Sequence, residues 1–207
     1  DAGNNLGSGG DFTVNSGPFT GARGGSEFWA RSAERSGSSS NNLQRAGIGG
    51  TTSVKITMAY AIWFDVQNVS QSQFSVGNAA LYSFADSLVG YIGDPSSQAD
   101  WTWPSGTFTN GQWHTVLWSM VTNGTSSQRH CWIDGVDKTS TGSWNQSKTN
   151  GFDLSSTVNN SYILAYDNGG QPHDGKIASL YIAQEYNDFS QEANRNKFID
   201  QLGYPKD

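Results

Sequence analysis

Apolar residues alternate with polar or small ones over much of this chain, the period-two signature of strands with one buried face. The longest such run covers residues 54–66, with Val54, Ile56, Met58, Tyr60, Ile62 and Phe64 on one face and Ala59, Ala61, Trp63 and Asp65 on the other. A second run, residues 113–118, sets His114, Val116 and Trp118 against Trp113, Thr115 and Leu117. Both of its sets are substantially apolar, which suits a strand covered on each side or one in a sandwich with an aromatic outer face. Shorter strands are predicted at residues 11–14, 73–76, 80–84, 88–92, 161–166 and 176–183, with turn residues between them. Asp134-Gly135 predicts a hairpin with residues 131–133 and 136–138 as its arms, because a tight primed turn needs positive φ and glycine adopts it without steric cost.

Strand signals repeated at this spacing favour an antiparallel sandwich over an α/β arrangement. One helix is predicted, near the end, capped by Asp188 or Ser190 and presenting Ala193, Lys197, Phe198 and Ile199. Residues 93–104 and 143–146 read as polar loops that carry tryptophan, residues 16–18 as a turn, and residues 36–42 as a mobile loop. The 207 residues suit one β-sandwich, and residues 1–207 are taken as a single domain. Because the chain begins at Asp1 rather than Met, it reads as a piece of a longer polypeptide.

Composition narrows the function classes. A net charge of -6 argues against nucleic acid as a ligand, since phosphate-tracking surfaces concentrate Lys and Arg. Arg23, Arg31, Arg35 and Arg45 are interrupted by Glu27 and Glu34 and read as a solvated face. Cys131 is the one cysteine, so no intrachain disulfide forms and the residue is expected in the core. No apolar run reaches the roughly 18 residues that would predict membrane insertion.

Three stretches, Gly111-Gln112-Trp113-His114-Thr115-Val116, Cys131-Trp132-Ile133-Asp134-Gly135-Val136 and residues 174–182, resemble the spine of laminin G-like domains of the concanavalin A-like group. The resemblance implies an all-β fold, a two-sheet antiparallel jelly-roll sandwich with a short C-terminal helix. That scaffold hosts lectins, hydrolases, lyases, adhesion modules and virion proteins alike, so it implies little about activity. Residues 181–186 running into 192–200, together with residues 11–15, are similar to laminin G-like modules of bacteriophage structural proteins.

Hydrolases of this scaffold carry Glu-x-Asp-x-x-Glu on one strand, whereas the glutamates here are Glu27, Glu34, Glu185 and Glu192, with no such run. The alginate lyase motifs are not visible, and His114, His130 and His173 are scattered, so the chain is expected not to be an enzyme. Binding is expected instead. A sugar ring stacks its C–H faces on aromatics and hydrogen-bonds to Asn, Asp and Gln, and Tyr91, Asp94, Trp101, Trp103, Trp144 and Asn145 are the candidate carbohydrate-binding residues. Trp101 and Trp103 also fit a plug at the sandwich end, and the sequence leaves both open. Trp63, Trp113, Trp118 and Trp132 are expected in the core. Many laminin G-like domains hold one calcium ion at the rim, which implies Asp94, Asp100, Asp167 and Asp174 as ligands here. The expected setting is extracellular or on a virion surface, in a decoration, fibre or tail component. The expected partners are a polysaccharide or glycan and, alternatively, capsid or tail proteins or copies of the chain itself. A structural assembly-contact domain, or a carbohydrate-binding module or polysaccharide-active enzyme of a secreted bacterial protein, stands as the alternative function.

Overall fold

The computed structural model describes residues 13–15, 33–35, 42–45, 53–65, 71–76, 79–84, 87–94, 97–104, 106–146, 161–163 and 173–199. Its strands are β1 (Thr13–Asn15), β2 (Ala33–Arg35), β3 (Asn42–Arg45), β4 (Lys55–Phe64), β5 (Gln71–Val76), β6 (Ala79–Phe84) and β7 (Ser87–Asp94). They continue as β8 (Ser97–Trp103), β9 (Trp113–Val121), β10 (Arg129–Ile133), β11 (Val136–Asp137), β12 (Ser143–Gln146), β13 (Ser161–Ile163) and β14 (Gly175–Ala183). All pair antiparallel in two sheets, one ordered β1-β3-β13-β5-β6-β7-β8-β12 and the other β11-β10-β9-β4-β14-β2.

Register explains why the sheets stack. In the eight-stranded sheet Val14, Leu43, Ile163, Phe74, Leu81, Gly90, Trp101 and Trp144 align in one transverse row. Each step to the neighbouring residue along a strand changes the face. The adjacent row, Thr13, Gln44, Tyr162, Ser75, Ala80, Tyr91, Asp100 and Asn145, therefore belongs to the opposite face. The first row is apolar and the second mostly polar, and Gly90, Trp101 and Trp144 of the first lie on the core side. Gly90 fixes this orientation: a Cβ there would sit 2.8 Å from the ring of Trp118 on the other sheet.

The six-stranded sheet answers with Ile56, Met58, Tyr60, Ile62 and Phe64 of β4, Val116, Trp118 and Met120 of β9, and Cys131 and Ile133 of β10, all buried. The face assignment read from residues 54–66 therefore holds. Trp101 and Trp103 stack on each other at 5.8 Å, and Trp103 meets Trp118 edge-on at 6.4 Å. Burying such rings is worth several kcal/mol each, about 3–5 for truncation to alanine.

The outer face of the six-stranded sheet has its own cover. Phe189 and Ile199 pack with Ala59 and Leu117 of the sheet, Trp132 and Phe198 joining them. Polar groups pin the cover down: Thr57 Oγ1 donates to the Glu185 carbonyl at 3.0 Å, and Ser119 Oγ donates to the Asn187 carbonyl at 2.6 Å. Arg195 lies 3.8 Å from the Trp132 ring centre. Apolar residues on both sides of β9 thus reflect two separate packing layers, the first of the two arrangements its sequence suits.

Several local expectations need correcting. Residues 97–103 and 143–146 are strands rather than loops, because Ala99, Trp101 and Trp103 alternate with polar partners and β12 adds to the β8 edge. The helix shrinks to α1 (Glu192–Arg195). Its N-cap is Gln191, and Asp188 instead accepts from the Ser190 amide and hydroxyl at 3.0 and 2.6 Å. Phe198 and Ile199 lie past its end, held by the sheet beneath them. The loop at 36–42 falls outside the described residues except Asn42, which begins β3, and the turn at 16–18 falls wholly outside them.

Candidate functional site

The residues of the resembling motifs meet one another, and what they build is a hairpin lock. Asp134 and Gly135 have φ of 51° and 75°, as the primed turn requires. The Asp134 carboxylate accepts from His114 Nδ1 at 2.7 Å and from the Thr115 amide at 2.8 Å. His114 Nε2 lies 2.9 Å from the Thr109 amide and 3.0 Å from its carbonyl, so Thr109 donates to the neutral ring and accepts from the protonated one. Burial draws the His114 pKa down, but the bonds to Asp134 and Thr109 outweigh it and hold it above the ordinary value. With both nitrogens engaged, His114 is a structural clamp.

The other two histidines are likewise engaged. His173 Nε2 bonds to the Trp63 carbonyl at 3.0 Å. His130 Nε2 lies 2.9 Å from Tyr186 Oη and 3.0 Å from Asp188, and burial pushes its pKa down. Cys131 is buried, as expected, and burial pushes its thiol well up, away from a reactive thiolate.

The candidate binding residues divide by face. Trp101 and Trp103 are 2% and 0% exposed, so the stacking role is corrected to the plug: they lie on one strand face in the core. Trp144 is register partner of Trp101, meets it edge-on at 5.5 Å, and lies under Arg129 at 4.4 Å. It belongs to the same inner row and is half-buried there. Tyr91, Asp100 and Asn145 are consecutive register partners across β7, β8 and β12, on the opposite face. Asn145 Nδ2 donates to Asp100 Oδ2 at 3.3 Å. Asp100 is 8% exposed, whereas Asn145 and Ser143 are exposed and Thr102 is half-buried, so this end of the outer face is open to solvent. A nearly buried carboxylate there orients an exposed amide, which is a pre-organised hydrogen-bonding group.

Two of the implied calcium ligands, Asp100 and Asp174, lie on different sheets. Asp100 sits within β8, while Asp94 ends β7 and pairs with Ser97. Asp174 lies at the end of the six-stranded sheet, where its carbonyl accepts from the Asp65 amide at 3.0 Å. Asp167 is outside the described residues. Among the described residues no three His, Cys, Asp or Glu side chains gather as a metal site.

Of the tryptophans expected in the core, Trp118 is there, but Trp63, Trp113 and Trp132 are half-buried on the outer face of the six-stranded sheet. Trp63 and Trp113 meet edge-on at 5.9 Å, and Lys176 lies 5.0 Å from the Trp63 ring centre. Sequence reasoning missed Gln98 and Thr102, which flank Asp100 on its face. The alternation Gln98-Ala99-Asp100-Trp101-Thr102-Trp103 was the signal that marks them.

No protein-family model matches the chain, and no curated protein matches it in sequence. Solved structures do match. The binding domain of botulinum neurotoxin serotype G superposes with a TM-score of 0.61 at 10% identity, over 94% of this chain and 50% of that one. The binding domain of botulinum neurotoxin DC, in complex with SialylT, gives 0.55 at 11% identity, over 95% and 48%. The chain thus spans about half the length of these toxin domains. Domain 4 of AbnA, an extracellular arabinanase of glycoside hydrolase family 43 from Geobacillus stearothermophilus in complex with arabinotriose, gives 0.57 at 17% identity, over 92% and 90%. The shared feature is the fold, a two-sheet antiparallel jelly roll.

Proposed function

We propose that the chain is a non-enzymatic polysaccharide-binding module that meets its glycan on the outer face of the eight-stranded sheet. The observation behind this is the open end of that face, where Asp100 holds the exposed Asn145 amide and Tyr91 is the next residue in the row. Such a row combines an aromatic with fixed polar groups, the mixture a sugar needs. The AbnA domain, alike over nearly its whole length and seen in complex with arabinotriose, supports the same reading. Against catalysis stands the charge pattern: glycoside hydrolysis takes two carboxylates flanking the bond, and Asp100 has no acidic neighbour in its row.

The setting we propose is extracellular, as an outward-facing part of a virion decoration, fibre or tail protein. The resemblance of residues 181–186 and 192–200 to phage structural modules supports it. No helix among the described residues is long and apolar enough to cross a membrane.

A glycan array tests the function, run with calcium and again with chelator. We expect selective binding, and its loss in chelator would assign a calcium ion to the site. Asn145→Ala should abolish binding while costing about 1–2 kcal/mol of stability through the lost bond to Asp100. Trp101→Ala should instead cost about 3–5 kcal/mol of stability. Silence of the intact chain in both conditions would favour an assembly-contact role.

A further inference from the structure

We propose that Arg129 is a positioning residue for the glycan site: reaching over from the other sheet, it clamps Trp144 and so holds β12, the strand that presents Asn145. The inference rests on the proposed function. β12 ends the strand order of the eight-stranded sheet and is bonded there to β8. An edge strand has a ladder on one side, so its place depends more than that of an inner strand on what its side chains grip. Trp144 is turned to the core side, where its ring meets Trp101 edge-on at 5.5 Å. The guanidinium of Arg129 lies 4.4 Å from the centre of the same ring. Because Arg129 belongs to β10 of the six-stranded sheet, this contact ties the two sheets together beside the β12 edge.

Arg129 is itself anchored. Its backbone is in register with Met120 of β9, and its Nη2 donates to the Gly124 carbonyl at 3.4 Å. A guanidinium is drawn to an indole face, more strongly where the two are withdrawn from water, and both side chains here are half-buried. The binding group feels this clamp through its own geometry. Asn145 follows Trp144 directly, so a shift of the ring carries the amide with it. The bond from Asn145 Nδ2 to Asp100 Oδ2 is 3.3 Å, beyond the roughly 2.7–3.2 Å of most such bonds. A small outward movement of β12 therefore breaks it, and the freed amide must be ordered again when a ligand binds, which costs affinity. Held by Trp101 and Arg129, Trp144 anchors the strand and is not a sugar platform.

Affinity electrophoresis of the intact chain in arabinan, galactan, mannan, polygalacturonate and dextran sulfate reads retention, and hydrogen exchange of the β12 amides reads the strand. Arg129→Met keeps an apolar stem and removes the cation. It should weaken retention on the order of tenfold and speed exchange in β12 while β4 and β9 stay protected. Arg129→Lys restores a charge without the planar stack and should recover part of both. Retention lost in Asn145→Ala but intact in Arg129→Met would overturn the inference and leave the glycan-binding function standing. Faster exchange throughout both sheets in Arg129→Met, unrelieved by Arg129→Lys, would also overturn it, because that pattern marks general destabilisation. Trp144→Phe keeps a ring beneath the guanidinium; if it loses retention with β12 exchange unchanged, Trp144 touches the glycan and the clamp is the wrong account. No retardation of the unaltered chain by any polymer, with an equally silent glycan array, would overturn the function itself, and the positioning role with it.

Discussion

The two sheets of this sandwich are alike inside and different outside. Both turn apolar residues inward, and Trp118 of one fits against Gly90 and Trp103 of the other. Outside, the six-stranded sheet carries Ala59 and Leu117 beneath Phe189 and Ile199, a second small core closed by the C-terminal segment. The eight-stranded sheet ends instead in exposed Asn145 and Ser143 beside Asp100. An apolar outer face demands a cover, since uncovered apolar area of that extent is costly in water. Asn145 and Ser143, polar and exposed, need no such cover. The difference sets the proposed binding face on one side of the molecule and a second small core on the other.

The sharpest way to break that division is Phe189→Ala. The ring is 0% exposed and meets Phe198 edge-on at 5.6 Å, so its loss should destabilise by about 3–5 kcal/mol in chemical denaturation. Retention on the cognate polysaccharide, per folded molecule, should not change. A variant that kept its stability but lost binding would reverse the roles of the two faces.

Gly90→Ala probes the shared interior. The added Cβ would lie within 3 Å of two Trp118 ring atoms, and a rigid indole packed among buried neighbours cannot yield cheaply. Overpacking of this kind should cost about 1–3 kcal/mol, read as a lower denaturation midpoint at unchanged slope. Because Tyr91 follows Gly90 directly, a backbone shift would also weaken glycan retention, coupling the core to the open face.

The inner architecture was legible because periodicity is a local signal. Residues 54–66 and 113–118 announced their faces residue by residue, and Asp134-Gly135 announced its turn. The histidine of the first motif and the aspartate of the second turn out to bind each other, which is why those motifs speak of fold. The candidate site was less legible, since Tyr91, Asp100 and Asn145 become neighbours only through pairing of β7, β8 and β12. Turn-forming Gly93, Asp94 and Pro95 drew residues 93–104 toward a loop, and the strand alternation that follows them was overlooked. Tryptophan's double nature did the rest: the same ring suits a sugar platform and a core, and burial decides only after the sheets are stacked.

The smallest expected effects are in pH, and they run in opposite directions on the two sides of the six-stranded sheet. His114, on the inner side, has a folded pKa above its unfolded one because Asp134 and Thr109 outweigh burial. Its contribution is complete below the unfolded pKa, near 6.5, and is lost as pH rises through the folded value. His130, beneath the cover and beside Tyr186, Asp188 and Asp137, has a folded pKa below its unfolded one. The unfolded chain then takes up the proton first, so stability falls as pH drops from about 6.5 through the folded value. Denaturant midpoints measured from pH 5 to 8 should show His130→Gln removing the acid-side loss and His114→Asn removing the alkaline-side one, each against its own lower baseline. If His130→Gln left the acid limb intact while His114→Asn abolished it, the cover would not sense the proton, and the histidine within the hairpin lock would govern both limbs.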